Sequence, residues 1–77
     1  MRKFIREHIE WAINDAIDWA EYMNNPFNEE QITLLREKGL ALAEEMINDE
    51  EYIDYDNCAL KDCIEQAITW IEGSIRR

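Results

Sequence analysis

The sequence has few of the residues that interrupt helices, Gly and Pro, and few His and Cys residues. Its 77 residues include two Gly, one Pro and one His, and no Val. No apolar run approaches the roughly 18 residues that a membrane span requires, and acidic residues from Glu7 onward break up any stretch resembling a signal peptide. We therefore expect a cytoplasmic protein that does not bind a membrane.

The two cysteines are interpreted as free thiols. Cys58 and Cys63 are five residues apart on a predicted helix, which places them about 140° apart around its axis and orients them poorly for a disulfide. With one His and no CxxC or HExxH spacing, the chain lacks the usual ligand sets for zinc. We expect no metal and no cofactor.

The pattern of nucleophiles and bases does not predict an enzyme. His8 lies between Phe4 and Trp11 on a predicted helix face, near Asp15, but no Ser or Cys nucleophile follows at a recognisable spacing. There is also no Gly-rich turn that would offer backbone N–H groups to an oxyanion. His8 is therefore interpreted as a partly buried packing residue, and no catalytic residue is assigned.

The first helix is predicted over residues 2–23, a stretch without Gly or Pro. Small and aliphatic residues recur there with helical spacing and form an inner stripe, which consists of Ile5, Ile9, Ala12, Ile13, Ala16, Ala20 and Met23. Beside it runs an aromatic ridge made of Phe4, His8, Trp11, Trp19 and Tyr22. The combined apolar surface is wider than one neighbouring helix can cover, so this helix should be central in a bundle.

The connection after the first helix contains a short motif and a helix start signal. Asn25, Pro26 and Phe27 spell NPF, which resembles the peptide ligand of eukaryotic EH domains. The same region has a local structural explanation, because Pro26 ends the first helix and Asn28 with Gln31 forms a variant of the capping box. Phe27 would then pack on Ile32 as a hydrophobic staple, and this is the interpretation we favour.

Two further helices complete the predicted fold. The second covers residues 29–48 and has Gly39 in the middle of its inner face, where close approach of the first or third helix would explain a glycine. The third covers residues 57–76 and is capped by Asp56 or Asn57. The chain should therefore be one all-α domain over residues 1–77, a small three-helix bundle with up-down-up topology and short connections.

Charge is the strongest functional signal. The formal net charge is −10, from 18 acidic and 8 basic residues, and five of the bases lie near the two chain ends, at Arg2, Lys3, Arg6, Arg76 and Arg77. In an up-down-up bundle those ends are far apart, so the bases would not form one patch for phosphates. Direct nucleic-acid binding is therefore disfavoured, and a basic partner is favoured.

The acidic segment, residues 44–56, is the predicted partner-binding region. It combines seven acidic residues with two tyrosines and has no base, and the predicted contacts are Glu44, Glu45, Asp49, Glu50, Glu51, Tyr52, Asp54, Tyr55 and Asp56. A calcium loop is the rival, but Cys58 occupies the third ligand position after Asp54 and Asp56, and no Gly follows. The alternative for the tyrosines is structural, with Tyr52 and Ile53 closing one end of the core.

Two functional hypotheses follow. The first is an inhibitor whose acidic surface occupies a basic, nucleic-acid-binding surface of a partner protein such as a nuclease. In general character this resembles phage-encoded blockers of host nucleases and nuclease immunity proteins, although no motif is shared residue by residue. The second is a self-associating structural or regulatory module, a homodimer whose seam is formed by Phe4, Trp11, Trp19 and Tyr22. We favour the first.

Overall fold

The computed structural model describes residues 2–52 and 54–76, without the side chain of Arg2. This part of the chain forms three α-helices: α1 is Arg2–Tyr22, α2 is Glu29–Asn48 and α3 is Asn57–Ile75. One turn of 3₁₀ helix, Glu50–Tyr52, lies between α2 and α3. All three helices pack against one another, which confirms the predicted three-helix bundle.

Contacts between helix ends establish the up-down-up topology. Arg6, near the start of α1, donates to Glu44 in the second half of α2 at 3.0 Å. Arg76, just after α3, donates to the carbonyl oxygen of Asn25, just after α1, at 2.7 Å. The helices α1 and α3 therefore run parallel, with α2 antiparallel to both. Arg6 and Arg76 consequently lie at opposite ends of an elongated particle of 39 × 19 × 19 Å.

The end of α1 is a Schellman turn. Asn24 has φ of 60°. Its N–H donates to Glu21 at 3.0 Å, and the N–H of Asn25 donates to Ala20 at 2.9 Å. The helix thus ends one residue before the predicted boundary. Met23 was predicted on the inner stripe, and this is wrong: Met23 is 58% exposed, because it lies in the turn after the last helical residue.

The start of α2 has the predicted capping box. The Asn28 side chain accepts from the Gln31 N–H at 2.8 Å, and the Gln31 side chain accepts from the Asn28 N–H at 3.0 Å. Phe27, which precedes the cap, is buried in the core, and Ile32 packs against that core. Such a cap stabilises a helix by about 1 kcal/mol, and here it also sets the angle at which α2 leaves the turn.

The core is built from the inner faces of all three helices. Its buried residues are Ile5, Ile9, Ala12, Ile13, Ala20, Phe27, Leu35, Ala43, Met46, Leu60, Ile64 and Ile68. Gly39 is also buried, and a Cβ placed on it would collide with Ile13 Cδ1 and touch Ile9 Cγ2 at 3.4 Å. The predicted role of Gly39 is therefore confirmed, and α1 is the helix that approaches it.

Candidate protein-binding surfaces

The acidic segment runs from Glu44 in the second half of α2, through the 3₁₀ turn, to Asp56, which caps α3. Local hydrogen bonds hold the described part of its backbone, 44–52 and 54–56, among them Tyr52 N–H to the Asp49 carbonyl at 3.3 Å and Tyr55 N–H to the Tyr52 carbonyl at 3.2 Å. The last turn of α2 contains no basic residue that would offset the partial negative charge of the helix end. The segment therefore combines a defined backbone with an unfavourable local concentration of negative charge.

Three of the seven acidic residues in this segment have partners within the chain. Asp56 caps α3, since its carboxylate accepts from the Ala59 N–H at 2.8 Å. The Asp49 carboxylate accepts from the Glu51 N–H at 2.9 Å. Glu44 pairs with Arg6 across the surface, and both side chains remain more than half exposed, so this ion pair contributes little to stability. These roles account for part of the acidity structurally.

The other four acidic residues of the segment have no such role. The side chains of Glu45, Glu50, Glu51 and Asp54 are exposed and make no hydrogen bond or ion pair with the described residues. Three of them lie between the two structural carboxylates Asp49 and Asp56. The segment thus presents unneutralised carboxylates from a backbone that its own neighbours hold in place.

The two tyrosines of the segment pack against the core. Tyr52 and Tyr55 are half-buried and meet edge to face, with ring centroids 5.1 Å apart. Partial burial raises the pKa of the Tyr52 hydroxyl, and electrostatic repulsion from the nearby Cys63, Glu51 and Asp49 side chains raises it further. Tyr52 therefore takes the core-closing position, while Ile53, predicted beside it, lies outside the described residues.

The aromatic ridge of α1 divides into two stacks. His8 stacks on Phe4, with ring centroids 5.6 Å apart, and on Trp11, with centroids 5.2 Å apart. Trp19 stacks on Tyr22 with centroids 5.5 Å apart. Trp11, Trp19 and Tyr22 are 52%, 60% and 79% exposed, so most of this aromatic surface faces solvent. Phe4 packs against the core, whereas the rings of Trp11, Trp19 and Tyr22 are largely exposed.

His8 is a packing residue of the first stack. Its Nε2 atom is buried and has no hydrogen-bond partner among residues 2–52 and 54–76. No hydrogen bond joins His8 to Asp15 within the described chain. This placement agrees with the predicted packing role.

A groove runs between α1 and α3 beneath the two stacks. Trp11, Asp15 and Trp19 form its α1 wall, and Glu65, Thr69 and Glu72 form its α3 wall. The floor is Ala12, Ala16 and Ile68, and the volume is about 240 Å³. The sequence pattern indicated the two tryptophans but not the α3 carboxylates opposite them. The predicted parallel α1 and α3 could have indicated that the two sets lie at the same level.

A second groove lies between α1 and α2 and has a different character. Arg6, Glu10 and Arg36 line it together with three apolar residues, Ile9, Ile13 and Leu40. Both arginines have partners within the chain, because Arg6 pairs with Glu44 at 3.0 Å and Arg36 donates to Asn14 at 3.2 Å. Its basic groups are thus used to connect the helices.

Neither a metal-ligand cluster nor a membrane-spanning helix is found among residues 2–52 and 54–76. No three His, Cys, Asp or Glu side chains in this part of the chain come together to form a metal site. None of the three helices combines the length and apolar character needed to cross a membrane.

Comparison with known proteins identified no relative: no family model, curated protein or solved structure matches this chain. Its function must therefore be inferred from its own residues.

Proposed function

We propose that this protein is a small acidic inhibitor that occupies a basic, nucleic-acid-binding surface of a partner protein. The observation that carries the proposal is the group of exposed, unpaired carboxylates at Glu45, Glu50, Glu51 and Asp54. They follow one another closely at one end of the bundle, beside the tyrosine pair that closes the core. The partner is a nuclease or another protein that binds phosphates through Lys and Arg.

The overall charge supports this proposal. The protein has a formal net charge of −10, and several of its few bases already pair with acidic residues within the chain. Such an excess destabilises a small domain by self-repulsion, while it accelerates association with a positively charged surface. A basic partner would relieve this repulsion on binding, so the excess negative charge would serve recognition of that partner.

The ordered backbone of the acidic segment also supports it. Asp49 and Asp56 hold the segment by hydrogen bonds to backbone N–H groups, and Tyr52 and Tyr55 pack its middle against the core. A preorganised loop loses little conformational entropy when it binds, so more of the electrostatic attraction becomes affinity. The carboxylates need to match the partner's cations only loosely, since both side-chain types are flexible.

The experiment that tests the proposal is capture from a lysate of the cells that produce the protein. The variant Glu50→Lys, Glu51→Lys, Asp54→Lys should lose a basic, nucleic-acid-binding protein that the wild type retains at low salt and releases at high salt. A matched control is Glu10→Lys, Glu21→Lys, Glu37→Lys, which changes the net charge equally at exposed positions outside the segment. Capture by the first variant, or equal loss in the control, would contradict the proposal.

A second function is supported by the exposed stacks on α1. Phe4, Trp11, Trp19 and Tyr22 lie in two stacks along one face of α1, on which a second copy could dock as a homodimer. Sedimentation decides the matter: self-association through this face requires a dimer that Trp11→Ala converts to a monomer. A monomeric wild type at high micromolar concentration would exclude it.

A further inference from the structure

The groove between α1 and α3 contains more than apolar surface. Two indole rings, of Trp11 and Trp19, stand eight residues apart on α1, with the carboxylate of Asp15 one helical turn from each. Across the groove, Glu65 and Glu72 add two further carboxylates. Aromatic faces flanked by carboxylates favour a cation, since the indole face and the carboxylate both attract positive charge.

The charge of this groove is only partly compensated within the chain. Asp15 and Glu65 make no ion pair with the described residues. Glu72 lies 4.0 Å from the Arg76 Nε, which is the outer limit of an ion pair. The groove therefore retains net negative charge and would repel a phosphate, a carboxylate or an acidic second copy of this chain.

The chain itself shows how it binds a guanidinium group. The guanidinium carbon of Arg76 lies 4.0 Å from the centroid of the Phe27 ring. The same group donates to the Asn25 carbonyl at 2.7 Å and lies beside Glu72. Arg76 thus combines an aromatic face, a carbonyl oxygen and a nearby carboxylate. The groove offers two larger aromatic faces and more carboxylates.

The size of the groove suits a single side chain. Its volume of about 240 Å³ is below the range of roughly 300 to 1,000 Å³ that accommodates small-molecule ligands. Arginine fits better than lysine, because its planar guanidinium stacks on indole rings and bonds carboxylates through two parallel N–H groups. A lysine ammonium is more strongly hydrated and has no flat face to stack.

We propose that this groove receives an arginine side chain of the partner, held between Trp11 and Trp19 and paired with Asp15 or Glu65. The inference rests on the proposed function and adds a specific contact to a general charge attraction. The groove begins at Glu65, about 13 Å along α3 from Asp56 at the end of the acidic segment. One partner surface can therefore engage both sites, with the acidic segment attracting it and the groove selecting for arginine.

The test uses three blocked twelve-residue peptides of Gly and Ser that contain four arginines, four lysines or four citrullines. Wild-type protein should bind the arginine peptide about fivefold more tightly than the lysine peptide, the size expected for one or two exposed cation–π contacts. The citrulline peptide, which has the shape of arginine without its charge, should bind at least tenfold more weakly. Fluorescence anisotropy of a dye attached to each peptide reports the binding, so the same readout applies to the wild type and to variants that lack the groove tryptophans.

Variants assign the preference to the groove. Trp11→Leu with Trp19→Leu should remove the preference for arginine over lysine, and so should Asp15→Asn with Glu65→Gln, which leaves the aromatic surface intact. The matched control is Trp70→Leu, because Trp70 is 77% exposed and lies outside the groove. It should retain the full preference.

The results separate this inference from the function on which it rests. Equal binding of arginine and lysine peptides by the wild type would overturn the groove assignment. The triple variant Glu50→Lys, Glu51→Lys, Asp54→Lys then becomes decisive. If it bound both peptides equally more weakly than the wild type, the proposed function would stand without the groove assignment. Absence of binding to either cationic peptide would contradict both. An undiminished preference in the two double variants would also overturn the groove assignment.

Discussion

The two grooves beside α1 use their charged residues in opposite ways. Between α1 and α2, Arg6 and Arg36 reach partners on the facing helix, and Gly39 lets the two backbones approach closely. Between α1 and α3, Asp15 and Glu65 have no ion-pair partner in the described chain, and two tryptophans stay exposed. The first groove connects the helices, while the second leaves its charge and its aromatic surface for another molecule.

The largest expected effect tests the close approach on the α2 side. Gly39→Leu should lower the free energy of unfolding by about 2 kcal/mol or more, because the new side chain must displace Ile13 and Ile9. Gly73→Ala is the control, since a Cβ there meets no atom within 4 Å, and it should raise stability by roughly 0.5 to 1 kcal/mol through helix propensity. Urea denaturation followed by circular dichroism measures both. Effects of the same sign would contradict the assigned packing.

The second prediction separates structural from unpaired carboxylates within the acidic segment. Asp56→Ala should cost about 1 kcal/mol of stability, because the Ala59 N–H loses its acceptor at the start of α3. Asp54→Ala, two residues earlier, should change stability by less than about 0.5 kcal/mol, since its side chain is exposed and unpaired in the described chain. Equal costs in the same denaturation assay would mean that the segment's charge serves folding throughout.

The third prediction compares the paired charged residues of the α1/α2 groove with the unpaired carboxylates of the α1/α3 groove. Arg6→Gln with Arg36→Gln should lower stability by roughly 0.5 to 1 kcal/mol, because contacts between α1 and α2 are lost. Asp15→Asn with Glu65→Gln should leave stability unchanged or slightly raised, because it removes repulsion without removing a contact. A clear loss in the second variant would show that the α1/α3 groove is part of the fold's own electrostatics.

The smallest expected effect concerns pH. The pKa of Tyr52 in the folded state lies above the usual value of about 10, chiefly because the partial burial of its side chain disfavours the phenolate. The neutral Tyr52 hydroxyl therefore contributes its full share of stability below about pH 10, which is its pKa in the unfolded chain. That contribution is lost as the pH rises through the pKa of the folded state. Tyr52→Phe should make the alkaline decline in stability shallower, as measured by urea denaturation at a series of pH values. An unchanged decline in Tyr52→Phe would contradict the assigned burial.

Features set by neighbours in sequence were predictable. The capping box of Asn28 and Gln31 and the left-handed turn at Asn24 each follow from residue type and spacing. Met23 was misplaced because the helical period does not indicate at which residue the turn begins. Helix ends are decided by hydrogen bonds that compete within one or two residues.

The division of the acidic segment into paired and unpaired carboxylates was not predictable. Charge density identified the segment, but a count of carboxylates cannot distinguish Asp49, which accepts a backbone hydrogen bond, from Glu50, which makes none. The α1/α3 groove depends on the rotation of two helices about their axes. Periodicity identified Trp11 and Trp19, and only the packed structure shows that Glu65 faces them.

The most direct test of the central claim is displacement of nucleic acid from the captured partner. A fluorescent DNA bound to that partner should be released by this protein in a one-to-one titration, and release should weaken steeply as salt rises. The Glu50→Lys, Glu51→Lys, Asp54→Lys variant should fail to release it. A ternary complex, in which partner, DNA and this protein remain bound together at low salt, would contradict the claim that the acidic surface occupies the nucleic-acid site.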